Sequence, residues 1–185
     1  MMYIGRIEAL PLGMYSDYSE GALARNDEPK ISIGIGYGMV QDAKRDKGII
    51  GSVPADGGTT ETNNVTADVS FRYSGLSLES ALFWREGTRN PGGALDESGN
   101  AVPIDEPRNG SGYYAQGGYL LLEQTEIAIR YGQILPAAEE TSLGESAEAG
   151  MALSHYIGGH AMKIQSDVFR IWFEDGFGDG DTRFR

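Results

Sequence analysis

The chain has 185 residues, which is enough for one domain with a sizeable core. It contains no cysteine, which excludes disulfides, thiol nucleophiles and thiolate metal sites. Its formal charge of −12 at pH 7 argues against nucleic-acid binding, because phosphate contacts need clustered Lys and Arg side chains.

Eight segments alternate apolar residues with polar or small ones at a period of two, which predicts β-strands. In chain order they are residues 3–10, 31–40, 65–73, 76–85, 113–121, 125–132, 149–157 and 161–169. The last residues, DGDTRFR, begin another alternation. Each segment has about the length that a tilted strand needs to cross a bilayer, roughly nine to eleven residues.

The second segment, ISIGIGYGMV, resembles a glycine-rich functional loop at first sight. A phosphate-binding glycine loop should open a helix, and a Gly-Tyr-Gly ion filter should lie between membrane helices. Neither context is present in the sequence. Ile31, Ile33, Ile35 and Tyr37 alternate with small residues, so the segment is predicted to be a strand with one apolar face.

The connections between the segments are predicted to be short at one end of the sheet and long at the other. Ser74-Gly75, Leu122-Glu123-Gln124 and Gly158-Gly159 indicate tight hairpins, whereas residues 41–64, 86–111 and 133–148 are long and polar. This inequality is typical of transmembrane β-barrels. Residues 12–29 are an exception, because a short turn is expected at that place in the order.

The tight turns predict the register of three hairpins, each with apolar residues opposite apolar residues. A slip of one residue would reverse the face of every side chain. The predicted cross-strand pairs are Tyr73 with Leu76, Tyr119 with Ile127, Leu153 with Ile164 and Ala149 with Val168.

The face opposite the apolar one carries charges of both signs. In a soluble β-sandwich the apolar face would pack inward and these charges would meet water. In a transmembrane barrel the apolar face would meet lipid and the charges would line the pore. Alternation alone fits both arrangements. The candidate pore-lining residues are Arg6, Glu8, Asp68, Arg72, Glu79, Arg85, Glu126, Arg130, Lys163 and Asp167.

Aromatic residues and strand order favour the membrane arrangement. Tyr73 and Tyr119 lie toward the tight turns, and Trp84 and Tyr131 lie toward the long loops, as interfacial aromatic residues would. The hairpins also follow one another without crossovers. We therefore predict an all-β fold, namely an antiparallel up-and-down transmembrane β-barrel.

No catalytic or metal site is predicted, so the chain is not expected to be an enzyme or to carry a cofactor. His155 and His160 flank the Gly158-Gly159 turn without further zinc ligands nearby, and no Gly-x-Ser-x-Gly motif occurs. The acidic loops are interpreted as a solvated rim. The alternative is that divalent cations bridge them to lipopolysaccharide phosphates.

Four strings are more specific than the alternation: GRIEALPLG…YSEGALARNDEPKISIGIGYG, ADVSFRYSGLSLESALFWRE, GYYAQGGYLL…TEIAIRYGQILP and ALSHYIGGHAMKIQSDVFR. In that order they resemble the C-terminal half of the phosphate-selective porin O and P family. The resemblance implies a bacterial outer-membrane barrel of sixteen strands, usually trimeric, that passes small hydrophilic solutes or ions by passive diffusion. It also implies that residues 12–29 form an extended periplasmic connection.

The chain departs from the family pattern at both ends and in its charges. The signal peptide, the earlier strands and the closing strand are missing, so residues 1–185 are expected to form one partial barrel domain of about eight strands. Phosphate selectivity is not implied, because only scattered arginines match the family's basic ladder. The expected partners are membrane lipid, lipopolysaccharide and small solutes, with a homotrimer when the barrel is full length.

Two other functions stay open at this point. One is a soluble or surface-attached β-sandwich that binds a ligand. The other is a small closed eight-stranded barrel with a structural or adhesive role.

Overall fold

A computed structural model describes residues 1–14, 18, 21–137 and 141–185. Parts of the predicted connections 12–29 and 133–148, namely residues 15–17, 19–20 and 138–140, lie outside the described residues. In the described residues we find nine strands and one short 3-10 helix (Phe177–Asp179). The strands are β1 (Met2–Ala9), β2 (Lys30–Ala43), β3 (Thr59–Tyr73), β4 (Leu76–Asn90), β5 (Gly110–Leu122), β6 (Thr125–Pro136), β7 (Ser146–Tyr156), β8 (Lys163–Phe173) and β9 (Asp181–Phe184).

All nine strands form one antiparallel sheet in chain order, which confirms the predicted all-β, up-and-down fold. The sheet is open: within the described ranges β1 pairs only with β2, and β9 pairs only with β8. This is the form expected of a partial barrel, and it is neither two packed sheets nor a small closed barrel. Across the described residues, we find no helix with the length and apolar character to cross a membrane.

The strands are longer than the predicted segments at the end of the sheet with the long loops. β3 begins at Thr59 and β4 ends at Asn90, and these two ends pair with each other. Residues 59–64 are polar, so the apolar alternation did not reveal them as part of a strand. The eighth strand begins at Lys163 rather than at residue 161, and the final alternation is β9.

The first two predicted hairpin registers are confirmed. Tyr73 pairs with Leu76, and Tyr119 pairs with Ile127. Ser74 and Gly75 have positive φ angles of 47° and 87°, the combination that a two-residue hairpin turn of type I′ requires.

The predicted register of the third hairpin is wrong. His155 rather than Leu153 pairs with Ile164, and Met151 rather than Ala149 pairs with Val168. The connection is longer than Gly158-Gly159, because the backbone N–H groups of residues 157 and 158 both donate to the carbonyl of Met162. The resulting shift is two residues, an even number, so each side chain stays on its predicted face.

The two faces of the sheet differ sharply in burial. We call the face that carries Arg72 and Glu126 the inner face, and the face that carries Leu82 and Ile129 the outer face. Arg72 and Glu126 are 0% and 5% exposed, whereas Leu82 and Ile129 are 58% and 63% exposed. Water-soluble proteins bury aliphatic side chains and expose charged ones, so burial here is inverted.

The long connection between β1 and β2 packs against the tight turns of neighbouring hairpins. The carbonyl of Asn26 accepts a hydrogen bond from the backbone N–H of Ser74 at 2.9 Å. The Arg25 guanidinium donates to the carbonyls of Leu120 at 2.9 Å and Leu122 at 3.2 Å. The connection therefore ties β1 and β2 to the β3–β4 and β5–β6 turns, which explains why it is longer than a turn.

At the opposite end, Asp56 holds two long loops together. Its carboxylate accepts hydrogen bonds from the backbone N–H of Gly92 at 3.1 Å and of Gly58 at 3.3 Å. The Arg89 guanidinium donates to the same carboxylate at 2.5 Å. Both side chains are buried. Asp56 thus links the β2–β3 loop to the end of β4 and the loop that follows it.

We expect this loop packing to weaken in acid. The backbone N–H of Gly92, followed by the N–H of Gly58 and the charge of Arg89, holds the pKa of Asp56 below its ordinary value. A lowered folded pKa stabilises the fold above the unfolded value of about 4, and this stabilisation is lost as the pH falls through the folded value. Hydrogen–deuterium exchange of residues 52–60, corrected for intrinsic rates, should accelerate across that window.

Asp56→Asn provides the control for this prediction. In this variant the backbone amides of residues 52–60 should exchange rapidly at neutral pH, and their exchange should accelerate little further in acid. If Asp56→Asn exchanged like the unmodified protein at neutral pH, the carboxylate would not be what orders these loops.

Candidate functional site

A hydrogen-bonded network of charged and amide side chains crosses five neighbouring strands on the inner face. Arg72 on β3 pairs with Glu79 on β4. The Gln116 amide on β5 donates to Glu79 at 2.9 Å, and Arg130 on β6 donates to the Gln116 carbonyl oxygen at 3.2 Å. Arg130 also donates through Nε to Glu148 on β7 at 3.1 Å. We call these five residues the inner-face network.

Arg72 is the most enclosed member of the inner-face network. Its cross-strand partner is Ser77, so the pair with Glu79 is diagonal across the hairpin, as the predicted register implies. The guanidinium also donates to the carbonyl of Phe71 at 3.1 Å. Because Arg72 is fully buried, its charge interacts with neighbouring groups of the sheet rather than with solvent.

A second cluster lies on β1 to β3. Arg6 donates to Asp68 at 2.7 Å, and Glu8 accepts a hydrogen bond from Ser32. Arg6 and Asp68 belong to β1 and β3, so their side chains meet above β2. A Cβ at Gly34 would overlap the Arg6 guanidinium and lie 2.7 Å from Asp68 Oδ2. Gly34 in ISIGIGYG therefore provides the space for this ion pair.

Glu126 is a buried carboxylate with two hydroxyl partners. It accepts hydrogen bonds from Ser77 at 3.3 Å and from Tyr156. Its side chain passes over Gly118, where a Cβ would overlap Oε1 of Glu126 and lie 2.7 Å from the Ser77 hydroxyl. Sequence reasoning selected Glu126 but missed Ser77 and Tyr156, although Ser77 has the inner-face parity of β4.

The remaining predicted pore-lining residues lie on the inner face but outside the inner-face network. Arg85 donates a hydrogen bond at 3.4 Å to the carbonyl of Asp46, which lies in the β2–β3 loop. Asp167 pairs with Arg185 at 3.2 Å, and Lys163 lies over the Tyr156 ring. The ten predicted residues thus share a face, as parity requires, but form several separate groups.

The four predicted interfacial aromatic residues all lie on the outer face and are exposed. Tyr73 and Tyr119 both pair with Leu76 at the end with the tight turns. Trp84 and Tyr131 lie toward the long loops, at the other end of their strands. Whether these side chains meet a membrane interface stays a prediction.

No protein-family model, curated protein or solved structure matches the chain. The resemblance to the porin family therefore stays a prediction. The function must be argued from the geometry of the two faces.

Sequence reasoning missed part of the aromatic set near the long loops. Tyr131 lies 6.1 Å from both Tyr113 and Trp172, measured between ring centroids. Trp172 in turn lies 5.0 Å from Phe177. Tyr113 has the outer-face parity of a predicted segment and could have been found. Trp172 lies beyond residue 169, where the predicted eighth segment ended.

The inner face carries both hydrogen-bond donors and hydrogen-bond acceptors, which water, ions and polar solutes can contact. A depression of about 210 Å³ is lined by Glu126, Arg130, Asp167 and Lys163, among other residues. Its charges are of both signs, so the inner face has no single strong field. Among the described residues, no three His, Cys, Asp or Glu side chains lie close enough to hold a metal ion.

Proposed function

We propose that this chain forms part of the wall of a bacterial outer-membrane pore. Small hydrophilic solutes or ions would pass it by diffusion, with selectivity set by the inner-face charges. The observation that carries the proposal is the inverted burial of the two faces. A lipid-facing sheet has this distribution, because its apolar side chains meet hydrocarbon and its polar ones meet the lumen.

Strand length and aromatic placement support the same proposal. The strands β2 to β8 have between 11 and 15 residues each, at least the roughly 9–11 residues that a tilted strand needs to cross a bilayer. The outer-face aromatic residues lie near both ends of the strands, where interfacial girdles occur in barrels. We propose that Tyr73, Trp84, Tyr119 and Tyr131 belong to these girdles.

A conducting pore also requires closure of the sheet. Unpaired backbone groups at a sheet edge are costly in hydrocarbon, so a membrane sheet pairs every edge. We propose that further strands pair with β1 and β9 in the functional assembly. Those strands could come from the same polypeptide or from another copy.

Single cysteines provide the test, since the chain has no cysteine of its own. We would record currents in planar bilayers from Ala128→Cys on the inner face and Ile129→Cys on the outer face. A bulky charged thiol reagent should reduce the current through Ala128→Cys and leave Ile129→Cys unchanged. Equal block at both positions, or block only at Ile129→Cys, would contradict the proposal.

We expect Arg130 to influence ion selectivity more than Arg72 does. Arg130 is 37% exposed, whereas Arg72 does not reach solvent. Arg130→Gln should lower the anion-to-cation permeability ratio by about twofold, since a screened charge in a water-filled pore contributes less than about 1 kcal/mol. The zero-current potential in a salt gradient measures this ratio, and Arg130→Lys should preserve it. An unchanged potential in Arg130→Gln would make Arg130 purely structural.

A further inference from the structure

The inner face carries an apolar pocket toward the end with the long loops. Phe83 pairs across the sheet with Gly112, which pairs with Ile134, so these three residues form one row on the inner face. Tyr114 lies in the next row, between Ala81 and Gly132. Phe83 is 46% exposed on the same face as the inner-face network.

The rings in this pocket form a platform. The Phe83 and Tyr114 centroids are 6.3 Å apart, and their planes differ by 26°. The Arg130 guanidinium lies 4.4 Å from the centroid of the Tyr114 ring. The cavity in front of the platform has a volume of about 340 Å³ and is lined by Phe83, Tyr114, Arg130, Ile134, Glu148 and Ile171. We call it the aromatic pocket.

The rim of the aromatic pocket indicates which chemistry it would accept. Arg130 and Glu148 are paired at 3.1 Å, so their charges cancel and favour a neutral ligand over an ion. They nevertheless keep 37% and 35% of their side chains exposed, and can exchange hydrogen bonds with ligand hydroxyls. Ring faces at the centre with a few polar groups at the edge are the usual composition of a small-molecule site.

We propose that the aromatic pocket binds a pyranose ring of a neutral oligosaccharide. The C–H groups of one sugar face would pack on the Phe83 ring, since the face of an aromatic ring is electron-rich and attracts such polarised hydrogens. The sugar hydroxyls would meet Arg130 and Glu148. This inference rests on the proposed function, because solutes reach the inner face only if that face lines a pore.

Isothermal titration of the folded protein with maltotriose tests the pocket directly, in a detergent without a sugar headgroup. We expect saturable binding that Phe83→Ala weakens at least about tenfold, or about 1.4 kcal/mol. Phe83→Tyr keeps the ring and should bind like the unmodified protein. Leu82→Ala, the outer-face neighbour in the same strand, is the matched control and should also be unchanged. Absence of binding, or equal affinity in Phe83→Ala, would overturn the proposal.

Bilayer recordings separate this proposal from the proposed function. A protein that conducts ions but does not bind maltotriose would overturn the sugar site and leave the pore intact. Maltotriose binding without conduction in an assembly whose sheet is closed would overturn the pore and leave the sugar site intact. We expect maltotriose to interrupt the ion current, and Phe83→Ala to shorten those interruptions about tenfold.

Discussion

Replacing Arg72 with alanine is expected to lower the free energy of unfolding by about 3 kcal/mol or more. Arg72 is fully buried and pairs with Glu79, and it also donates to the carbonyl of Phe71. Truncation would leave the Glu79 carboxylate without its cation in a largely enclosed position, which typically costs about 3–5 kcal/mol. Urea titration of the folded protein in micelles or vesicles measures the change.

Arg6→Ala is the matched control for this prediction. Arg6 also pairs with an acidic residue across the inner face, but both side chains of the Arg6–Asp68 pair are substantially exposed. Its loss should therefore cost less than about 1 kcal/mol. Equal destabilisation by Arg72→Ala and Arg6→Ala would contradict the idea that burial sets the difference. Joint replacement of Arg72 and Glu79 by leucine should recover much of the loss, because no unpaired charge remains.

Gly118→Ala is expected to lower the free energy of unfolding by about 2 kcal/mol, an unusually large effect for one added methyl group on a strand. The new Cβ would overlap the Glu126 carboxylate and crowd the Ser77 hydroxyl. Glu126 would have to leave its hydrogen bonds to Ser77 and Tyr156 while still largely buried. An unsatisfied buried polar group costs about 1–3 kcal/mol, and more for a charge. Urea titration again gives the change.

Gly5→Ala is the control, because nothing lies within 4 Å of a Cβ at Gly5. It should be neutral or slightly stabilising. A double-mutant cycle of Gly118→Ala with Glu126→Ala isolates the contact, since Gly118→Ala should cost little once the Glu126 carboxylate is gone. Additive effects in that cycle would show that Gly118 is needed for another reason.

The face of each strand residue was predictable, because alternation at a period of two puts odd-numbered and even-numbered residues on opposite faces. Leu82 and Ile129 on one side and Arg72 and Glu126 on the other follow directly from alternation. The Ser74-Gly75 turn was predictable as well, because positive φ at both central residues suits those residue types. The β7–β8 register was not predictable. Its turn is closed by backbone hydrogen bonds to the Met162 carbonyl, and no sequence pattern indicates these bonds.

The pairing of charges on the inner face was only partly predictable. Arg72 and Glu79 are diagonal neighbours once the register of the β3–β4 hairpin is predicted correctly. The contact between Arg6 and Asp68 spans two strands and depends on the missing side chain at Gly34. Phe83 was not singled out in the sequence, although it shares the parity of Glu79 and Arg85. Its stacking with Tyr114 depends on the register of β4 against β5, which a long loop connects. Long loops leave register unspecified in the sequence.

The most direct test of the account is a nitroxide scan along β6 in lipid vesicles. Single labels at Ile127, Ile129 and Tyr131 should be accessible to oxygen, which concentrates in hydrocarbon, and protected from a water-soluble nickel chelate. Labels at Ala128 and Gly132, on the inner face of the same strand, should show the opposite preference or low access to both. The predicted result is that the ratio of oxygen accessibility to nickel-chelate accessibility alternates with a period of two residues along β6. Greater access of the nickel chelate at Ile127 and Ile129 than at Ala128 would contradict the assignment of the outer face to lipid.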